Sequence, residues 1–169
     1  AICAHTNLDA AEGGVNSELA RRMGLENPVP LEVDGEDENG VPYGIGRVGH
    51  LPAPMALADF ARYTKKALDL EGVRVLDAGV PVSKVAVGGG ACGSMLSLVK
   101  AQGCDTFVTS DIGYNNFWDA QELGLTMIDA GHFHTENPAM RVMAEKLKQA
   151  FPDVEVVMSQ KHADCAKFY

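Results

Sequence analysis

Apolar residues recur at helical spacing between residues 55 and 70, which is the most regular stretch of the chain. Leu57, Phe60 and Leu68 fall on one face of a helix with this spacing, whereas Lys65 falls on the opposite face. Such a pattern is typical of an amphipathic helix that packs on a core. The sequence therefore predicts a helix over 55–70.

Beyond residue 80 the chain alternates short apolar runs with segments of helical periodicity. The pattern predicts strands over 82–87, 105–109, 125–130 and 154–158, and helices over 94–101, 115–122 and 138–150. Alternation of this kind is typical of strands joined by helical crossovers. We expect an α/β fold with a mixed, substantially parallel sheet covered by helices.

The N-terminal part of the chain is less regular. An apolar, strand-like run over 1–4 begins without an initiator Met, so we expect that further residues precede it. Asn16 is in position to cap a helix that ends at Gly24. Residues 26–54 are rich in Pro and acidic residues, which predicts a partly exposed connector with one short strand over 43–48.

Composition narrows the class of protein. The 169 residues include 14 Lys and Arg against 23 Asp and Glu, for a net charge of -9. Because this charge repels phosphate backbones, nucleic acid is an unlikely partner. No apolar run approaches the roughly 20 residues of a membrane-spanning helix. The 4 Cys residues are scattered, as is typical of reduced thiols, and we expect a soluble, cytoplasmic protein without a membrane partner.

Two pairs of residues with metal-binding side chains follow predicted strands. His5 and Asp9 come after the opening run, and His132 and Glu136 follow the strand over 125–130. Residues that leave the carboxyl ends of strands in α/β folds commonly form ligand sites. We therefore expect these four residues to be metal ligands. The alternative is that either His is an ordinary surface group or helix cap.

Nitrogen and oxygen donors of this kind suit Zn, Mn, Fe, Ni or Co rather than a structural thiolate site. A carboxylate can also bridge two ions, and ions about 3.5 to 4 Å apart can activate water and stabilise both oxygens of a hydrolytic displacement. The sequence thus predicts a centre of two divalent metal ions and metal-assisted hydrolysis.

A glycine-rich segment supports a competing interpretation. Residues 88–93 fit G-x-G-x-x-G, and Asp111 follows at about the roughly 20-residue interval of a ribose-binding acid in dinucleotide-binding proteins. Without a dinucleotide, the amides of Gly89, Gly90 and Gly93 at a helix start could still receive a substrate phosphate or carboxylate. The alternative is that these glycines only permit a tight turn and close packing.

An aromatic cluster follows the predicted strand over 105–109. Tyr114, Phe117 and Trp118 lie at helical spacing, which is compatible with a pocket for a nucleobase. Aromatic residues with this spacing are more often part of a core or a subunit interface, and we favour that interpretation.

Five segments, taken together, are similar to those of a known family. They are HTNLDAAEGGVNSELARRMGL, GIGRVGHL, VAVGGGACGS, FVTSDIGYNN and MIDAGHFHTE. In order and spacing they resemble the Nif-three-like dinuclear-metal family, whose members are often labelled type two homologues of GTP cyclohydrolase I. The resemblance covers essentially the whole chain, and HTNLD and DAGH-x-x-x-E are its most specific parts.

The resemblance implies a two-lobed α/β fold around a cleft that holds two divalent ions, with subunits assembled into a hexameric toroid. It assigns Asp9, His132 and Glu136 to the metals and places His5 beside them. The chain would form one unit that lacks the upstream part of the first lobe. Its parts would be the end of the first lobe over 1–25, a connector over 26–54 and the second lobe over 55–169.

The chain departs from the family pattern in three places. We expect the upstream half, which carries a His-His pair of metal ligands, to lie outside this sequence. Asn115 stands where the family often has a His, so a role of that His in proton transfer would be lost. Residues 162–166 match the C-terminal signature of the family only loosely.

The expected function is metal-dependent hydrolysis of a nucleotide-like or phosphorylated small molecule. Asp9 and Glu136 would be the catalytic residues, binding metal and accepting protons. Ring opening of GTP is implied by the family label alone. The alternative is a metal-binding scaffold or regulator that acts through protein partners, and a dinucleotide-binding protein is a further alternative.

Overall fold

The computed structural model describes residues 1–167, and the last two residues of the expected second lobe lie outside this range. Its helices are α1 (Thr6–Ala10), α2 (Val15–Arg22), α3 (Leu57–Leu68), α4 (Leu96–Ala101), α5 (Tyr114–Glu122), α6 (His132–Glu136) and α7 (Pro138–Ala150). Its strands are β1 (Glu26–Pro30), β2 (Gly35–Glu36), β3 (Pro42–Tyr43), β4 (Arg47–Met55), β5 (Arg74–Leu76), β6 (Val82–Val87), β7 (Thr106–Thr109) and β8 (Thr126–Asp129). A short 3-10 turn, Gly93–Met95, leads into α4.

Six of the strands form one sheet in the order β1-β4-β6-β7-β8-β5, and β2 pairs with β3 in a separate hairpin. The pairs β6/β7 and β7/β8 are parallel. The pairs β1/β4, β4/β6 and β5/β8 are antiparallel. The expected mixed α/β fold is confirmed, with the parallel pairs confined to the three strands β6, β7 and β8.

The core lies on both faces of this sheet because side chains alternate along each strand. Val85 and Val87 of β6 pack on one face with Leu19 of α2 and Phe60 of α3. Ala86, between them, packs on the other face, where α4 and α5 also contribute buried side chains. The sheet is therefore the middle layer of a three-layer arrangement.

The most periodic segments have the predicted structure. The strand over 82–87 and the helix over 138–150 have the predicted bounds, and the helix over 115–122 begins one residue earlier, at Tyr114. The helix expected over 55–70 is α3, which is shorter because Met55 still belongs to β4. Its last turn ends at Asp69, whose backbone is left-handed.

Two expectations near the N-terminus were wrong. The run over 1–4 is exposed and irregular, because it pairs with no strand among the described residues. Asn16 is not a helix cap: α2 begins at Val15, after Gly14, and Asn16 is a buried residue of its first turn. The expected end of this helix is confirmed, since Gly24 follows it with a positive φ of 70°.

The expectations for two further segments were also wrong. Residues 26–54 are not mainly a connector, because they supply β1 and most of β4 to the main sheet. The strand expected over 154–158 is irregular. Val156 and Met158 instead line a cavity beside α7. Within residues 1–167, no helix combines the length and apolar composition that crossing a bilayer requires.

Candidate metal centre

The three parallel strands β6, β7 and β8 end side by side, and the candidate site lies at the segments that follow them. The backbone passes from β6 into Gly88–Gly90, from β7 into Ser110 and Asp111, and from β8 through Gly131 into α6. Parallel strands direct their carboxyl ends to one edge of a sheet, where α/β proteins commonly bind ligands. The sequence predicted this placement for His132, which is the first residue of α6.

His132 lies between two carboxylates. Its Nδ1 donates a hydrogen bond of 2.7 Å to Oδ2 of Asp111, and its Nε2 is 3.0 Å from Oε1 of Glu136, four residues further along the chain. The hydrogen bond to Asp111 has the largest effect and raises the pKa of the His132 imidazole, while partial burial opposes it. The side chains of His132 and Glu136 are 49% and 37% exposed, so a ligand can approach them from solvent.

Asp9 joins this group from the other end of the chain. It lies on α1 and is half-buried. Burial raises the pKa of the Asp9 carboxyl, and the negative charge of Glu136 adds to this effect. The charges of His5 and His132 act in the opposite direction. The structure therefore brings Asp9 within electrostatic range of both His132 and Glu136.

His5 is the fourth expected ligand. It is exposed, and its Nδ1 is 3.0 Å from the hydroxyl of Thr6. Its charge lowers the pKa of Asp9, so the two side chains are neighbours. Its role as a metal ligand stays a prediction.

The glycine-rich segment packs directly against the two residues of α6 that face the site. A Cβ atom added to Gly90 would lie 2.4 Å from Oε1 of Glu136 and 3.2 Å from Nε2 of His132. At Gly89 the added atom would lie 2.5 Å from Cγ1 of Val15. The glycines therefore permit a close approach of backbone to side chains, which is the alternative that the sequence left open.

Two of the three amides expected to bind an anion already have partners in the protein. The Gly89 amide donates to Oδ1 of Asn16 at 2.8 Å, and the Gly90 amide donates to the Thr135 hydroxyl at 3.0 Å. Gly93 lies in the 3-10 turn, where its carbonyl accepts from Nδ2 of Asn116. A substrate anion would have to displace the first two of these hydrogen bonds. The expected phosphate-binding role of the segment is therefore not favoured by its contacts.

Asp111 also occupies a different setting from that of a ribose-binding acid. Its carboxylate is engaged by His132, and its backbone is left-handed, with φ at 50°. Asp tolerates this conformation better than most residues with a Cβ atom. The strand end thus directs the carboxylate toward α6, and Asp111 belongs to the same group as the expected metal ligands.

The residue types at this site, imidazole and carboxylate, are ones that bind divalent cations in proteins. When one imidazole nitrogen donates to a carboxylate, the other nitrogen is left to bind metal, as in many carboxylate–histidine–metal sites. Nε2 of His132 faces Glu136, so this nitrogen and Oε1 are the natural first donors. Within residues 1–167, however, no group of three or more His, Cys, Asp or Glu side chains is clustered tightly enough to hold an ion alone. The assignment of metal ligands therefore stays a prediction.

The aromatic cluster divides between core and surface. Phe117 is partly buried, and the Arg74 guanidinium lies 5.3 Å from its ring centroid. Tyr114 and Trp118 are 73% and 52% exposed and contact each other edge to face. Asn115, which stands where the family often has a His, is exposed beside them.

Two buried residues near the site were missed by sequence reasoning. Asn16 and Thr135 are almost fully buried and bond the backbone of Gly89 and Gly90. Asn is a common helix-capping residue, so sequence reasoning assigned Asn16 to a cap and missed its hydrogen bond to the Gly89 amide. Thr135 lies between the expected ligands of α6, and a Thr in a short helix gives no separate signal.

Comparison with known proteins identifies the family. A family model described as Duf34/NIF3 (NGG1p interacting factor 3) matches residues 1–165. The chain belongs to the DUF34/NIF3 family. This confirms the resemblance carried by the HTNLD and DAGH-x-x-x-E segments.

Several relatives agree with this assignment. A Clostridium perfringens protein named GTP cyclohydrolase 1 type 2 homolog is 30% identical over 167 residues, covering 98% of this chain and 63% of its own length. This chain therefore spans less than two thirds of that relative. Two solved structures share the DUF34/NIF3 fold at 24% identity. A Bacillus cereus protein related to NIF3 has a TM-score of 0.85 (98% of this chain, 72% of that chain), and the Staphylococcus aureus hypothetical protein SA1388 has 0.89 (99% and 68%).

Proposed function

We propose that this DUF34/NIF3 chain is part of a dinuclear-metal-dependent hydrolase that acts on a nucleotide-like or phosphorylated small molecule. The observation that carries the proposal is the arrangement of His132, held by Asp111 on one nitrogen and facing Glu136 with the other. The proximity of Asp9 supports it further. Relatives named GTP cyclohydrolase 1 type 2 homolog make GTP one candidate substrate.

The roles of the residues follow from their surroundings. Asp9, His132 and Glu136, with His5 beside them, would hold two divalent ions of the Zn, Mn, Fe, Ni or Co type. Such ions supply Lewis-acid chemistry for hydrolysis. Asp111 keeps a proton of His132 on Nδ1, so Nε2, which contacts Glu136, would be the nitrogen that binds metal. Asp9 and Glu136 would also be the proton acceptors of the reaction.

Metal content decides the first half of this proposal. The chain, purified without chelators, is analysed by plasma mass spectrometry beside the double variant His132→Ala/Glu136→Ala. The matched control is His50→Ala/Glu145→Ala, which removes an exposed His and an exposed Glu away from the site. We expect bound metal in the wild type and in the control, with two ions per chain as the upper limit, and loss in the site variant. Equal metal content in all three proteins would contradict the proposal.

Turnover decides the second half. The metal-loaded chain is offered GTP and a panel of phosphoesters, with phosphate and formate release as readouts. Hydrolysis that disappears in His132→Ala and in Glu136→Ala, while both variants stay folded by circular dichroism, is the expected result. Hydrolysis that persists in both variants would assign the activity elsewhere.

The second candidate is a metal-binding scaffold that acts through protein partners or through its own copies. The observation that favours it is the exposed pair Tyr114 and Trp118, since aromatic residues are enriched at interfaces. Assembly into a homo-oligomer, a hexamer by the family resemblance, belongs to this candidate. Light scattering on Tyr114→Ser/Trp118→Ser should show a smaller assembly than the wild type, and an unchanged mass would count against an interface at this face. Dinucleotide binding is disfavoured because Gly89, Gly90 and Asp111 already have partners.

A further inference from the structure

A series of buried and partly buried hydrogen bonds connects the segments that carry the candidate site. Asn16 donates from Nδ2 to the carbonyl of Asp9 at 3.0 Å and accepts the amide of Gly89 on Oδ1 at 2.8 Å. The next amide, that of Gly90, donates to the hydroxyl of Thr135 at 3.0 Å. The same hydroxyl donates to the carbonyl of His132 at 2.9 Å. The series runs without interruption from the backbone of Asp9 to the backbone of His132.

Both linking side chains are shielded from water. Asn16 has no exposed surface, and Thr135 is 1% exposed. A buried amide whose donor and acceptor are both used is held in one orientation, because each lost bond would leave a polar group without a partner. Gly89 is essential to this contact, since a Cβ atom there would strike Val15, the neighbour of Asn16. The connection is therefore a specific and rigid one.

The hydrogen bonds of Asn16 and Thr135 hold together two segments whose carboxylates, Asp9 and Glu136, repel each other. Asp9 and Glu136 carry like charges close enough to influence each other, so without a cation they favour separation. Asp9 is attached to α1, a helix of only 5 residues. The position of Asp9 relative to α6 thus depends on the contacts that hold the backbone of α1. The side-chain amide of Asn16 makes one of these contacts, to the carbonyl of Asp9 itself.

We infer that Asn16 is a positioning residue which, together with Thr135, fixes Asp9 relative to His132 and Glu136 and so sets the spacing of the metal ligands. This inference rests on the proposed function, because it concerns the same ligands. Asn16 itself binds no metal and touches no substrate in this assignment. It acts through the backbone of Asp9 on one side and through Gly89, Gly90 and Thr135 on the other.

The test measures Mn²⁺ affinity by equilibrium dialysis and thermal midpoint in parallel. Asn16→Leu removes both hydrogen bonds and keeps the branched arrangement of side-chain heavy atoms, and Thr135→Val removes the other link without changing the shape of the side chain. The control is Thr64→Val, because Thr64 is equally buried but bonds Phe60 within α3. All three variants are expected to lower the thermal midpoint.

The Mn²⁺ affinity distinguishes a positioning role of Asn16 and Thr135 from a general loss of stability. Asn16→Leu and Thr135→Val should each weaken Mn²⁺ binding by roughly tenfold to a hundredfold, the usual effect of losing a group that orients metal ligands. Thr64→Val should leave the affinity unchanged. The double variant should lose less than the product of the two single effects, because both break the same connection. If Asn16→Leu fails to fold, Thr135→Val and the control decide. Wild-type affinity in the variants would overturn the inference.

A metal-free readout distinguishes this inference from the proposed function. If the wild type binds no Mn²⁺, the proposed function fails for this ion, and crystal structures of the wild type and of Asn16→Leu decide the inference. A displacement of Asp9 away from Glu136 in the variant supports positioning. An unchanged distance between the two carboxylates overturns it.

Discussion

His132 donates a hydrogen bond of 2.7 Å from Nδ1 to the carboxylate of Asp111, and the two residues follow adjacent parallel strands. The bond keeps a proton on Nδ1, since an ionised carboxylate can only accept, and it fixes the rotation of the ring. It directs Nε2 toward Glu136, which lies one helical turn away. The hydrogen bond between His132 and Asp111 thus orients Nε2, the nitrogen that would bind a cation.

Replacing Asp111 tests whether its hydrogen bond orients the His132 ring for metal binding. Asp111→Ala is expected to weaken Mn²⁺ binding about tenfold to a hundredfold, because the ring loses the partner that orients it. Asp119→Ala, on the exposed side of α5, should bind as the wild type does. Equilibrium dialysis of the three proteins at one pH is sufficient. Equal affinities would show that the ring needs no support from Asp111.

Gly90 tests the close approach between the glycine-rich segment and α6. Gly90→Ala places a Cβ atom 2.4 Å from Oε1 of Glu136, so the carboxylate must move and metal affinity should fall. Gly79→Ala is the matched control, because Gly79 has a similar φ of 75° but has nothing within 4 Å of the added atom. Both variants should lose about 1–2 kcal/mol of unfolding free energy from the left-handed backbone. Only Gly90→Ala should lose metal, and equal metal binding by both variants would contradict the expected displacement.

Glu18 makes stability depend on pH. This buried carboxylate accepts hydrogen bonds from Nε of Arg21 at 2.6 Å and from Nε of Arg22 at 2.8 Å. Burial is the largest single influence and raises the pKa, but the bonds and charges of the two Arg residues together lower it below the ordinary 4.5. Because the folded pKa is the lower one, the contribution is complete above about pH 4.5 and is lost as the pH falls through the folded pKa.

Glu18→Gln should therefore reduce the unfolding free energy at pH 7 by about 1–2 kcal/mol, allowing for the exposure of Arg21. The difference from the wild type should shrink below pH 4.5, where the unfolded carboxyl gains its proton. Urea unfolding at several pH values measures this. The exposed pair of Glu145 and Lys148 supplies the control, since Glu145→Gln should change little at any pH. If the difference in unfolding free energy between Glu18→Gln and the wild type stayed constant from about pH 7 to about pH 3, the pH dependence would not come from Glu18.

The thiols should differ sharply in reactivity. Burial raises the pKa of Cys104 to about 11, whereas Cys3 and Cys165 are exposed. Because the thiolate is the reactive form, a brief treatment with iodoacetamide at mildly alkaline pH should label Cys3 and Cys165 and spare Cys104. Peptide mass spectrometry reads the labels, with a sample in denaturant as the positive control. Rapid labelling of Cys104 in the folded protein would show that this part of the core opens readily.

Sequence reasoning succeeded where one physical signal dominated. The strand over 82–87 and the helix over 138–150 have apolar residues at the period of their own structure, and both were placed with correct bounds. The strand β1 was missed because Pro28 and Pro30 disfavour a strand and because its residues are mostly exposed. It forms the edge of the sheet, where a missing amide is tolerated. The segment over 154–158 has a strand-like composition but no pairing partner among the described residues.

The candidate site was predictable in its residue types but not in its connections. His132 and Glu136 could be placed from their position after a strand, and the structure puts them in contact. The partnership of Asp111 with His132 depends on which strands are neighbours, and sequence spacing alone pointed to a different role. Asn16 illustrates the same limit, because its partner Gly89 is 73 residues away along the chain.

That long separation also governs when the site can come into existence. As the chain is synthesised, Asp9 and Asn16 emerge before the strand that leads to Gly89 and the helix that carries His132. The hydrogen bonds from Asn16 therefore close only after most of the sheet has formed, as expected for contacts of high sequence separation. Ion capture would accordingly be a late event of folding, reserved for chains that have already assembled β6, β7 and β8.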